Sequence, residues 1–169
     1  MLKFNSKGKH NHETLYWLSG VKADKYDNRP YRRCVQIKGE NATRTDGSIL
    51  LTAKINPTIE DGLYEVVKRT KTEIHITKVE PTEFPAWEDL FTPHEAKTEF
   101  TITCTTAGCN FSGFAALTRS IKEGHFNYNL FNIITSVDTL FNVLINKDET
   151  KPVTFITDDK RALLMPMRK

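Results

Sequence analysis

The sequence predicts an α+β protein of two lobes, each placing helices on one face of an antiparallel sheet. Two observations carry that reading. Strand-type segments rich in β-branched and aromatic residues outnumber the helical ones and are separated by turn signals such as Asp46-Gly47 and Asp61-Gly62. A proline-rich yet aromatic connector then divides the chain in two. At 169 residues a folded chain buries roughly 70% of the surface it exposes when unfolded, so a core forms without staples.

The elements follow in order. From Asn11 to Lys25 the spacing of Leu15, Leu18 and Val21 predicts an amphipathic helix, closed by Asn28-Arg29-Pro30. Strands are expected at Tyr31 to Ile37, Leu50 to Ile55, Leu63 to Thr70 and Lys71 to Val79. In the last of these Ile74 and Ile76 alternate with polar residues, which places His75 on the wet face. Glu80 to Pro93 holds three prolines, which break a strand ladder, and also Phe84, Trp87, Leu90 and Phe91, which need packing. An ordered crossing follows, and the expected division is a first lobe over 1–82, a crossover over 83–95 and a second lobe over 96–169. Beyond it come a strand at Glu99 to Thr105 and a helix from Phe111 to Lys122, stopped by Gly124. Phe126 to Ile134 reads as a strand. Ser136 caps an expected helix with Val137, Leu140, Phe141 and Leu144 at i, i+3, i+4 and i+7, and Val153 to Thr157 and Arg161 to Met167 close the chain as strands. No repeat is visible in the letters.

Charge excludes little: 24 Lys and Arg against 21 Asp and Glu leave +3, short of a strongly basic nucleic-acid footprint, so any DNA contact must be local. No apolar run is long enough to cross a bilayer, and the first residues lack the apolar core of a signal peptide, so a cytosolic protein without membrane contact is expected. Cys34, Cys104 and Cys109 read as reduced thiols, and their spacing does not make a zinc site with His94 and His125. Nucleophile-elbow, phosphate-loop, dinucleotide and zinc-helix motifs are all missing, and the paired acids Glu88-Asp89 and Asp158-Asp159 form no constellation. The reading is of a protein that is not an enzyme and takes no cofactor or metal.

The informative stretch is the tail, Ala162-Leu163-Leu164-Met165-Pro166-Met167-Arg168-Lys169, an apolar segment where frayed polar residues are usual. It either fills core gaps or lines a pocket with soft, adaptable side chains. Met165-Pro166-Met167-Arg168 resembles the Met-Pro-Met-Arg strand that ends bacterial sliding clamps, the β subunit of the replicative DNA polymerase. Three further stretches agree in order. Arg29-Pro30 leads into a strand as after a first domain helix; Thr43 to Leu50 is similar to the Ala-Thr-Asp-Gly-His-Arg-Leu turn of the middle domain; and Glu83 to Phe91 resembles the Phe-Pro-Asp-Tyr crossover.

That resemblance implies a DNA-clamp-like fold and a shortened or phage-like processivity factor, working without chemistry. It implies a peptide-binding groove of Thr45, Gly47, Ser48, Ile49 and Leu50 from the turn, Pro85, Asp89 and Leu90 from the crossover, and Leu163, Met165, Pro166, Met167 and Arg168 from the tail. It also implies helices whose cations face duplex DNA and hold it by phosphate charge alone, here Lys7, Lys9, Lys22, Lys25, Arg119, Lys122 and Lys147. The implied partners are duplex DNA, a DNA polymerase or other replication protein through its clamp-binding peptide, and further copies of the chain closing a ring. The sequence departs from the family at Ser48-Ile49, where His-Arg is usual, and at Glu88-Asp89, where basic residues are usual. It also has room for only about one and a half of the family's three domains, and its first lobe lacks a second helix. Two other readings stand beside this one: a monomeric decoy or adaptor that binds the peptides without DNA, and an unrelated small α+β enzyme or regulator.

Overall fold

Val, Ile, Thr and aromatic residues are frequent in the segments that the computed structural model forms into strands, as their fit to a pleated surface favours. The structure describes all residues except 25, 92–95, 105–110, 122–124, 138 and 168–169, and gives no side-chain detail at 9, 96, 97 and 111. Two units are present, Met1–Pro85 and Ala86–Lys169.

The first unit runs β1 (Leu2–Asn5), α1 (Lys9–Leu18), β2 (Cys34–Lys38), β3 (Asn41–Thr45), β4 (Ile49–Lys54), β5 (Gly62–Arg69) and β6 (Glu73–Val79). Its strands lie in the order β1-β6-β5-β2-β3-β4, and every pairing is antiparallel. Helix α1 touches β1 and β6 near one end of this order and β3 and β4 at the other, so the sheet curls around it. Leu15, Trp17 and Leu18 of the helix are buried, as are Val35, Ile37, Ala42, Leu51, Ile74 and Ile76 of the strands.

The second unit runs β7 (Ala96–Cys104), α2 (Phe111–Ser120), α3 (Tyr128–Ile134), β8 (Thr139–Asn146), β9 (Val153–Ile156) and β10 (Lys160–Leu164). Its sheet is antiparallel in the order β10-β9-β8-β7. Leu117, Phe131 and Ile134 of the helices are buried, as are Phe141, Val143, Ile145, Phe155 and Leu164 of the strands. Both units therefore share a strand, helical segment, three-strand plan, and in the first the β5–β6 hairpin stands between β1 and β2. The repeat is one of elements, which is why the letters do not show it.

The α+β class predicted from sequence is the one found, and four local expectations are corrected. Helix α1 stops at Leu18 rather than Lys25, because Ser19 Oγ donates to the Tyr16 carbonyl at 2.9 Å and Gly20 follows, capturing the final turn. Phe126 to Ile134 is not a strand: Asn127 Oδ1 accepts from the backbone N–H groups of Asn129 (2.9 Å) and Leu130 (3.4 Å), an N-cap that starts α3. The segment from Val137 onward is not a helix but β8, where Phe141, Val143 and Ile145 are buried and Leu140 and Asn142 are exposed. That stretch carries both a period of 3.6 and a period of 2, and its β-branched and aromatic residues decide for the second. Strands β1 and β3 had no forecast, being short or dominated by polar residues. His75 is half-buried rather than solvated, with Nε2 3.5 Å from Glu73 Oε2. Cys34 and Cys104 are buried, and burial, the largest effect, raises the Cys34 pKa above its ordinary value. Cys109 lies outside the described residues.

Candidate peptide and DNA surfaces

The β3–β4 turn is built by its own side chains. Asp46 Oδ1 accepts from the backbone N–H groups of Ser48 (2.8 Å) and Ile49 (3.0 Å), while Thr45 Oγ1 donates to the Ile49 carbonyl (2.8 Å) and accepts from Gly47 N–H (3.0 Å). Gly47 has φ +93°, and a Cβ there would collide with the Arg32 guanidinium lying against it. Arg32 is fixed in turn, its Nη1 donating to Asp27 Oδ2 at 2.7 Å, and Arg29 Nε holds Asp27 Oδ1 at 2.9 Å. Hydrogen bonds from Arg29 first, then from Arg32, keep the Asp27 carboxyl well below the usual carboxylate range. Gly47→Ala is therefore expected to cost about 1–3 kcal/mol in stability, through positive φ and displacement of Arg32. A urea midpoint equal to that of the wild type would refute this.

Of the five turn residues singled out in the sequence, Gly47 and Ser48 are exposed, whereas Thr45, Ile49 and Leu50 are buried. Pro85 is exposed at the end of the first unit. In the second unit the crossover makes a 3₁₀ turn over Glu88–Phe91. Trp87 and Phe91 are buried and meet edge to face at 6.1 Å, which turns Asp89 and Leu90 outward, Leu90 being 51% exposed. In the tail, Leu163 is buried in β10 opposite Thr154, Pro166 is half-buried, and Met165 and Met167 are 39% and 50% exposed. Met167 N–H donates to the His125 carbonyl at 2.7 Å in an isolated antiparallel bridge, so the predicted strand ends at Leu164 and the methionines follow it. Arg168 lies outside the described residues.

Among the cations, Lys7 is exposed on the 3₁₀ turn Ser6–Gly8 before α1, Lys22 is exposed after α1, and Arg119 is exposed at the end of α2. None of these three forms an ion pair among the described residues. Lys9 opens α1, and Lys25 and Lys122 lie outside the described residues. Lys147 is exposed but follows strand β8, so the helix expected to carry it does not exist. Arg44 stands inside the turn stretch but carries no sequence signal of burial, because its strand is composed mostly of polar residues. Among the described residues, no group of three or more His, Cys, Asp or Glu side chains could hold a metal ion, and no helix is long and apolar enough to cross a membrane.

A curled antiparallel sheet around a helix, followed by a second strand–helix–strand unit, is the fold of bacterial DNA sliding clamps. The solved structures it matches include the DNA polymerase sliding clamp of Bacillus subtilis (12% identity, 99% of this chain, 64% of that one, TM-score 0.59). The DNA polymerase III subunit beta of Borrelia burgdorferi, solved with a natural product, matches with 10% identity over 99% of this chain and 64% of that one, TM-score 0.63. The Helicobacter pylori beta clamp bound to a DNA ligase peptide matches with 12% identity over 93% of this chain and 63% of that one, TM-score 0.59. This chain spans less than two thirds of the length of each. No known family model and no curated protein matches it in sequence.

Proposed function

We propose that this chain acts as a sliding-clamp-like processivity factor, holding duplex DNA without reading its bases and docking the short peptides of a polymerase or other replication protein. The observation that supports this most is a clamp fold running through 99% of the chain, not through one fragment of it. The exposed apolar side chains Leu90, Met165 and Met167 give the peptide a surface that demands little directional matching. Gly47 and Ser48 offer backbone groups at a turn held rigid by Asp46 and Arg32. Lys7, Lys22 and Arg119 supply phosphate attraction, and several copies close the ring head to tail. Because the net charge is only +3, retention on DNA depends on topology more than on affinity.

The test compares closed circular with linear duplex. After loading, the circular DNA is expected to retain the protein through a high-salt wash that strips it from the linear form, since counterion release weakens phosphate contacts but not encirclement. Equal loss from both forms would overturn the proposal.

A further inference from the structure

Arg44 sits where the first unit otherwise buries apolar groups. It lies on β3 opposite Leu51, and alternation puts it on the same sheet face as Ala42 and Ala53, each of them almost wholly buried. Arg44 itself is 7% exposed, and among the described residues its buried Nε has no hydrogen-bond partner and no carboxylate pairs with the guanidinium. Burial is the main cause that lowers the Arg44 pKa; of the surrounding groups Cys34, Asp46 and Glu65 favour the cation and Arg69 opposes it. Arg69 cannot swing away easily: its guanidinium lies 4.0 Å from the centroid of the Tyr16 ring, and Nε donates to Ser19 Oγ at 2.9 Å.

An arginine does not shed its proton in a protein, so an unpaired buried one is a standing cost that a matching anion removes. The planar guanidinium fork matches two oxygens of a tetrahedral oxyanion, and a second guanidinium nearby favours a multiply charged one. We propose that Arg44 forms a binding site for a phosphate-type oxyanion in the first unit, with Arg69 adding to the positive charge around it. It does not depend on ring formation. Free phosphate and the phosphate chain of a nucleotide share this chemistry.

Thermal unfolding of the full chain tests it in chloride, in inorganic phosphate and in ATP, all at equal ionic strength. Saturating phosphate is expected to raise the wild-type melting temperature by about 3 °C or more over chloride. Arg44→Met is expected to melt higher than the wild type in chloride, since the unpaired charge is gone, and to ignore phosphate. A rise with ATP alone would assign the site to a nucleotide's phosphates, as one form of the proposal. No rise with either, or the same rise in Arg44→Met, would overturn it. Should Arg44→Met fail to fold, phosphorus NMR line broadening of phosphate by the wild type, diminished by Arg69→Gln, decides the matter; equal broadening would count against the site.

Discussion

Phe131→Ala is expected to destabilise the protein by about 3–5 kcal/mol, the largest stability effect of any single truncation in the second unit. Phe131 has no solvent exposure and stands at the centre of an aromatic chain, meeting Phe114 at 5.2 Å and Phe155 at 6.0 Å, with Phe155 meeting Phe141 at 6.1 Å. All three contacts are edge-on, the arrangement the ring quadrupoles favour. Helix α3 has only 7 residues, too few to persist alone in water, so its packing through Phe131 and Ile134 is what keeps it formed. Deleting the ring thus opens a cavity and frees the helix together. Urea unfolding followed by near-ultraviolet circular dichroism reads the loss, and Phe131→Leu, which refills part of the volume, is expected to cost much less. A loss below about 1 kcal/mol for Phe131→Ala would mean that the aromatic chain is not the core of this unit.

What the sequence disclosed depended on whether one period dominated. Ile74 and Ile76 alternate cleanly, and β6 was legible; Leu15 and Leu18 set a helical stripe, and α1 was legible in type if not in length. From Phe126 to Leu144 two periods overlap, so a helix and a strand exchanged places, and the deciding facts were a capping side chain at Asn127 and a preference for pleated packing at Phe141, Val143 and Ile145. The turn at Asp46-Gly47 was legible because positive φ and an aspartate that bonds its following amides leave a fixed mark in the letters. Its support by Arg32 and Asp27 was not, since those residues are distant in sequence from Gly47 and belong to a segment with no periodicity. Exposure was the least legible property of the peptide surface. Leu50 and Leu163 have the same character as Leu90 on paper, yet their strands bury them while the 3₁₀ turn presents Leu90.

Removal of residues 165–169 is expected to weaken binding of a clamp-binding peptide by about tenfold or more while leaving the melting temperature nearly unchanged. The asymmetry follows from how the tail is held. Strand β10 ends at Leu164, with Ala162, Leu163 and Leu164 buried, so the truncation spares the sheet and its register with β9. Among the described residues the backbone hydrogen bond holding the tail is the one from Met167 N–H to the His125 carbonyl, and such a bond contributes about 1 kcal/mol net. On the binding side, Met165 and Met167 are 39% and 50% exposed, so a docking peptide buries surface that the fold leaves open. A methionine taken from full exposure to full burial contributes roughly 1.5–3 kcal/mol, so covering the exposed parts of the two together contributes roughly 1.3–2.7 kcal/mol, a change of about tenfold or more. The measurement is fluorescence anisotropy of a labelled clamp-binding peptide from a replicative polymerase, expected to bind the intact chain at about micromolar strength. Met165→Ala combined with Met167→Ala is expected to reproduce most of the loss, because the side chains and not the terminal charges make the surface apolar. Unchanged affinity in a truncated protein that melts like the intact one would remove the tail from the peptide site.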